Sequence, residues 1–181
     1  MLCEQDVAAY EAELQRELPR FRVCYKDESR LQQTIGGLLR PFNGRYLSHY
    51  TTVMFGRVYF PSRRWRDEQG PAAVYRILRH EAVHLRDMRR FPLLFQLSYL
   101  FLFPAGLTVR AWWEYRAYVE TLRVEWELSG RIDDAVLDGI VRRFTGPEYL
   151  YMCPFPRWIR RRLEAVRSQL ERGSEDAQTG G

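Results

Sequence analysis

Histidine is scarce in this chain and lysine almost absent: 181 residues contain 3 histidines, and Lys26 is the only lysine. The net charge of +5 is therefore carried almost wholly by arginine. An arginine bias of that kind follows genomic base composition as readily as it follows phosphate binding, so it makes no case for a nucleic-acid partner. Cysteine is sparse too. Cys3, Cys24 and Cys153 are odd in number, far apart and outside any CxxC pair. That excludes a disulfide framework and a cysteine zinc site, and it fits a reducing compartment. The opening stretch MLCEQDVAAYEAELQREL lacks the apolar core of a secretory signal and carries acids early, so a cytoplasmic location is expected. No internal repeat is present.

What the chain does contain is enough apolar and aromatic material, 46% and 14%, for a folded globule. Its length suits one domain, expected over residues 1–172, with the polar tail 173–181 (GSEDAQTGG) disordered. Val7, Tyr10, Leu14 and Leu18 recur at helical spacing and Pro19 stops that run. FRVCY (21–25) reads as a short strand. ESRLQQTIGGLLR reads as a weak helix because Gly36 and Gly37 lie inside it. HYTTVMFGRVYF (49–60) reads as a strand interrupted near Gly56, with Pro61 ending it.

Pro71 suits the first position of a long helix over about 71–90. A second long helix is expected after Thr108, ending at Gly130. DDAVLDGIVRRF has acids at its start and arginines at its end, as the helix dipole prefers. A last helix over about 157–172 carries a stripe of Ile159, Leu163, Val166 and Leu170. Arg157, Arg160, Arg161, Arg162 and Arg167 beside that stripe read first as a solvated face, with an anionic surface as the alternative partner. Several helices and one small β element make the expected class α+β, mainly helical.

The stretch ILRHEAVHLRDM (77–88) spends two of the histidines within five positions and puts a glutamate between them. Histidines four apart lie on one helix face, so His80 and His84 can reach a single ion at about 2.0–2.1 Å. Glu81 is turned about 100° from His80, beside the metal, where it can take a proton from a metal-activated water. Ala73, Ile77, His80, His84 and Met88 form one stripe, expected to face the core. Paired inward imidazoles need polar partners, and a metal supplies one. The alternative is an ordinary helix with two satisfied histidines.

A catalytic zinc takes three protein ligands and an open position. The HExxHxxGxxH form fails, since position 87 is Asp and position 90 is Arg. A later helix offers Glu114, Glu120, Glu125 and Glu127. Glu114 shares a face with Ala111, Ala117, Tyr118 and Thr121, small enough in part for close helix approach. Glu120 has Arg116 and Arg123 within one turn and suits a solvated ion pair. Glu114 is therefore the expected third ligand.

The uncharged run FPLLFQLSYLFLFPAGLTV (91–109) approaches bilayer length, yet prolines and Gly106 interrupt it. A single crossing would also put His80 and His84 on the opposite side of a membrane from Glu114. The run is thus expected to be a buried link and not a transmembrane span, with peripheral membrane contact as the alternative.

HEAVH on one helix and WEYRAY on a later one resemble the gluzincin class of zinc metallopeptidases, of which thermolysin is the familiar member. TTVMFGRVYFP also resembles the edge strand that such enzymes place before the HExxH helix. The resemblance covers about residues 49–120 and is closer to small bacterial zincin-like domains, because Tyr118 stands where thermolysin-like enzymes have aspartate. It implies a zincin-like α+β domain, zinc (Zn2+) on His80, His84 and Glu114, Glu81 as general base, and a peptide or protein substrate. Tyr118, Tyr149, Tyr151 and His49 are the available oxyanion donors. Two other functions stay open: a binding or scaffold module with a structural or vestigial zinc site, and a deformylase-like hydrolase recruiting Cys24 or Cys153.

Overall fold

The computed structural model describes residues 2–41, 44–100, 104–146 and 151–179. It is a mainly helical α+β chain with one three-stranded sheet among the described residues. It divides into two compact units, Met1–Arg90 and Phe91–Gly181.

The first unit contains α1 (Glu4–Glu17), β1 (Val23–Tyr25), α2 (Arg30–Leu39), α3 (Tyr46–His49), β2 (Thr52–Met54), β3 (Arg57–Phe60) and α4 (Arg63–Arg90). The expected single strand over 49–60 is a hairpin. Phe55 (φ 52°) and Gly56 (φ 80°) turn it, both left-handed as a two-residue hairpin loop of this hand requires. Sheet order is β1-β3-β2, with β1 parallel and β2 antiparallel to β3. The stretch before the HExxH helix therefore supplies both an edge strand, β2, and the central strand, β3.

Gly36 has a specific job in α2. A Cβ there would overlap the side chain of Leu47 on α3, so the residue that weakens the helix makes room for its neighbour. α4 is two helical segments joined at Gly70 (φ 74°, ψ 164°), and the second begins at Pro71. Proline needs no amide donor at a helix start, and its fixed φ suits the first turn. The segment 63–69 ahead of it went unread in the sequence.

Val74, Leu78, Ala82 and Leu85 form the buried face of α4, packed with Val7, Tyr10, Leu14 and Leu18 of the α1 region and with Phe21, Val58 and Phe60. Arg66 and Arg86 of α4 pair with Glu11 and Glu17 of α1, each at 2.7 Å.

The second unit contains α5 (Pro92–Leu100), α6 (Pro104–Ser129), α7 (Asp134–Thr145) and α8 (Pro156–Thr179). Gly130, with φ 69°, ends α6 and its N–H donates to Trp126 O at 2.8 Å, a glycine C-terminal stop. Tyr118 and Leu122 of α6, Leu137, Ile140 and Phe144 of α7, and Ile159 and Leu163 of α8 make the core. Arg160 and Arg167 of α8 both reach Asp134 in the first turn of α7, at 2.7 and 2.8 Å. α8 continues to Thr179, through residues whose composition had suggested a tail.

The uncharged stretch is not uniformly buried, as had been expected. α5 buries Phe95 and Ser98, and Ser98 Oγ accepts the indole N–H of Trp113 at 3.2 Å. Leu93, Leu94 and Leu97 face outward, 73%, 50% and 45% exposed. Among the described residues no helix is long and apolar enough to cross a membrane.

Candidate metal centre

His80, Glu81 and His84 stand on the second segment of α4, where the helical period sets His80 and His84 one turn apart. Their rings are 5.1 Å apart between centroids and nearly perpendicular, at 76°. The stripe Ala73–Ile77–His80–His84–Met88 is not the core face of the first unit. That face is Val74, Leu78, Ala82 and Leu85, and the histidines occupy another flank of the same helix. His84 is nonetheless buried, and so is Glu81, at 5% and 8% exposure.

Glu114 lies on α6 and is 4% exposed. Ala117 and Tyr118, expected beside it, are buried as well. Glu120 pairs with Arg123 at 3.2 Å, the ion-pair role expected of it.

One ligand atom each from His80, His84 and Glu114 lie within 4.8 Å of one another, so the group could hold a metal ion. The donor set fits such an ion chemically: two imidazoles and a carboxylate are ordinary ligands of a divalent metal. Ligands bonded at about 2.0–2.2 Å to a tetrahedral ion stand roughly 3.4 Å apart.

The other expected participants have contacts of their own. Tyr118 packs 5.5 Å from Phe144 in the second unit's core, and its hydroxyl oxygen accepts from Arg143 at 3.3 Å. Tyr151 is exposed, and Tyr149 lies outside the described residues. His49 ends α3 beside Ser48, with Oγ and Nδ1 2.6 Å apart. Cys24 is half-buried in β1 and Cys153 is buried in the second unit's core, and neither belongs to the metal group.

Lys26 is the residue that sequence reasoning missed. It follows β1 and is fully enclosed. Its ammonium donates to the backbone oxygen of Tyr46 at 2.7 Å and lies 3.8 Å from the centre of that residue's ring. Tyr46 is fixed in turn, its hydroxyl donating to Gln32 Oε1 at 2.6 Å. Burial pushes the Lys26 pKa down from 10.5 to about 7, and the negative charge of Glu81 works against that fall. The available signal was compositional: Lys26 is the single lysine beside 27 arginines.

No family model, curated protein or solved structure matches the chain. The functional reading rests on the residues themselves.

Proposed function

We propose that the chain is a gluzincin-type, zinc-dependent hydrolase of peptide bonds, acting on a peptide or protein substrate. The convergence of His80, His84 and Glu114 carries this reading. Two histidines and one glutamate are the protein ligands of zinc sites that keep a fourth position for water. When bound, zinc supplies Lewis acidity that polarises a carbonyl and lowers the pKa of a water to about 7.

The chain's own residues do the rest. Glu81, next to His80 on the helix, accepts the proton of the attacking water as general base and returns it to the leaving amine nitrogen. The Lys26 ammonium attracts the Glu81 carboxylate from within the first unit, which favours a fixed orientation of the base. Burial of Glu81, His84 and Glu114 limits bulk water around these groups and strengthens their mutual electrostatics.

That same burial favours a second reading, a closed structural or vestigial zinc site in a binding or scaffold module. The test is metal analysis of the purified protein followed by turnover of unstructured peptides. About one zinc per chain with peptide cleavage supports the hydrolase, zinc without cleavage supports the scaffold with a structural site, and failure to take up zinc refutes the hydrolase and the structural site.

A further inference from the structure

The second unit has a cavity of about 580 Å³ whose lining includes none of His80, His84 and Glu114. That volume is in the range of small-molecule sites. Its walls are aromatic: Trp112 and Tyr115 come from α6, Phe155 precedes α8, and Trp158 lies in the first turn of α8. Trp112, Phe155 and Trp158 remain 53%, 64% and 53% exposed. Apolar area of that size clustered around a concavity gains free energy when a ligand covers it.

One charged side chain joins this lining, Arg162. Its guanidinium is held against two of the walls, 5.4 Å from the Trp158 ring centre and 6.0 Å from that of Tyr115. Among the described residues it has no carboxylate partner. Arg160 and Arg167 on the same helix differ in this respect, since both are tied to Asp134. The cavity therefore pairs an oriented cation that has no carboxylate partner among the described residues with a largely apolar wall. A planar guanidinium suits a carboxylate, which it can engage by two parallel hydrogen bonds. One cation calls for one negative charge, and the aromatic walls call for an apolar body behind it. Polyphosphate ligands lack that body and need more donors than the lining offers.

We propose that this cavity is a binding site for a small amphipathic monoanion, a carboxylate on an aliphatic chain, with Arg162 holding the carboxylate and the aromatic walls covering the chain. The site stands apart from the hydrolase reading and does not need it.

The test uses the full chain with dodecanoate and the uncharged dodecanol as probes, followed by tryptophan fluorescence and by calorimetry. Trp112 and Trp158 line the cavity, so occupancy changes their emission. Dodecanoate should saturate at about one per chain and bind about tenfold more tightly than dodecanol, the scale of one charge-assisted contact. Arg162→Met should reduce dodecanoate binding to the level of dodecanol, and Arg162→Lys should retain only part of the preference, since an ammonium keeps the charge but not the planar fork. Arg161→Met, an exposed neighbour outside the lining, should change neither affinity. Unchanged circular dichroism of the variants will separate lost binding from lost fold. Absence of saturable binding, equal affinity of the wild type for the two probes, or full dodecanoate affinity in Arg162→Met would overturn the proposal.

Discussion

The ammonium of Lys26 lies 3.8 Å from the centre of the Tyr46 ring and donates to that residue's own backbone oxygen at 2.7 Å. One tyrosine thus supplies a π-face and a carbonyl dipole to a cation that has lost its water. Neither group carries a full negative charge, so the exchange is incomplete and burial still favours the neutral amine. Among the described residues, the through-space attraction of Glu81 is the opposite charge that opposes this fall.

That imbalance has a pH signature. Between about pH 7 and 10 the unfolded chain keeps the Lys26 proton that the folded chain has released. The unfolded state then binds more protons, so this residue makes stability rise with pH across that window. The slope approaches about 1.4 kcal/mol per pH unit where the difference is a whole proton. Burial holds Tyr46 above its ordinary value of 10.0, which reverses the sense above that pH and closes the window. Urea unfolding at pH 7 and 9.5 should show the rise in the wild type and its loss in Lys26→Met. Equal pH dependence in both proteins would mean that Lys26 keeps its ordinary titration.

The metal group gives a comparison between two glutamates of one helix. Glu114 has its carboxylate among the imidazoles, while Glu120 is committed to Arg123. Glu114→Ala should weaken zinc binding by at least about a hundredfold, beyond the 10–100-fold typical of losing a group behind the ligands. Glu120→Ala should leave zinc affinity within about twofold, since a partly solvated ion pair contributes little. Competition against a chelator of known affinity measures both. Equal losses would move the third ligand away from Glu114.

The convergence of His80, His84 and Glu114 was legible because helical spacing is a local property. His80 and His84 are joined by one turn of α4, and Glu114 was separated from Glu120 by the small or charged residues one turn away on α6. The phase of α4 was harder to read. Apolar residues cover a wide arc of this helix, so Ala73–Ile77–Met88 and Val74–Leu78–Leu85 both make acceptable stripes. Only packing against α1 and β3 chooses the second. Lys26 was illegible for a related reason. Its enclosure depends on Tyr46 and Gln32, which approach it through tertiary contacts that no local pattern records. The hairpin at Phe55–Gly56 was half legible: Gly56 marked the break, but a left-handed phenylalanine is not a turn signal.

Leu78 and Leu93 stand at opposite ends of the burial range, with different costs. Leu78 is fully enclosed in the first unit, and Leu78→Ala should cost about 2–5 kcal/mol, from lost transfer energy and the cavity left behind. Leu93 on α5 is 73% exposed, so Leu93→Ser should change stability by no more than about 0.5 kcal/mol. Denaturant midpoints at constant m-value test the pair. A large cost at Leu93 would mean that its exposed side is covered in solution.

The sharpest separation of hydrolase from scaffold comes from Glu81. It is next in sequence to His80 of the candidate metal group but does not belong to that converging group. Glu81→Gln keeps the size of the side chain and removes its capacity to accept a proton at neutral pH. Zinc content should therefore stay at the wild-type level. The substitution also removes the charge opposite Lys26, leaving burial to act on that ammonium alone. The variant should thus be modestly less stable at pH 7 and recover as the pH rises toward 9.5, where Lys26 is neutral in the folded state. For a peptidase, turnover of an unstructured peptide should fall by about a hundredfold or more, the scale of general-base loss. Measuring activity at pH 9 as well as pH 7 keeps the two effects apart, because restored stability does not restore a missing base. Cleavage by Glu81→Gln at the wild-type rate would remove the HExxH helix from the chemistry, whatever metal the protein holds.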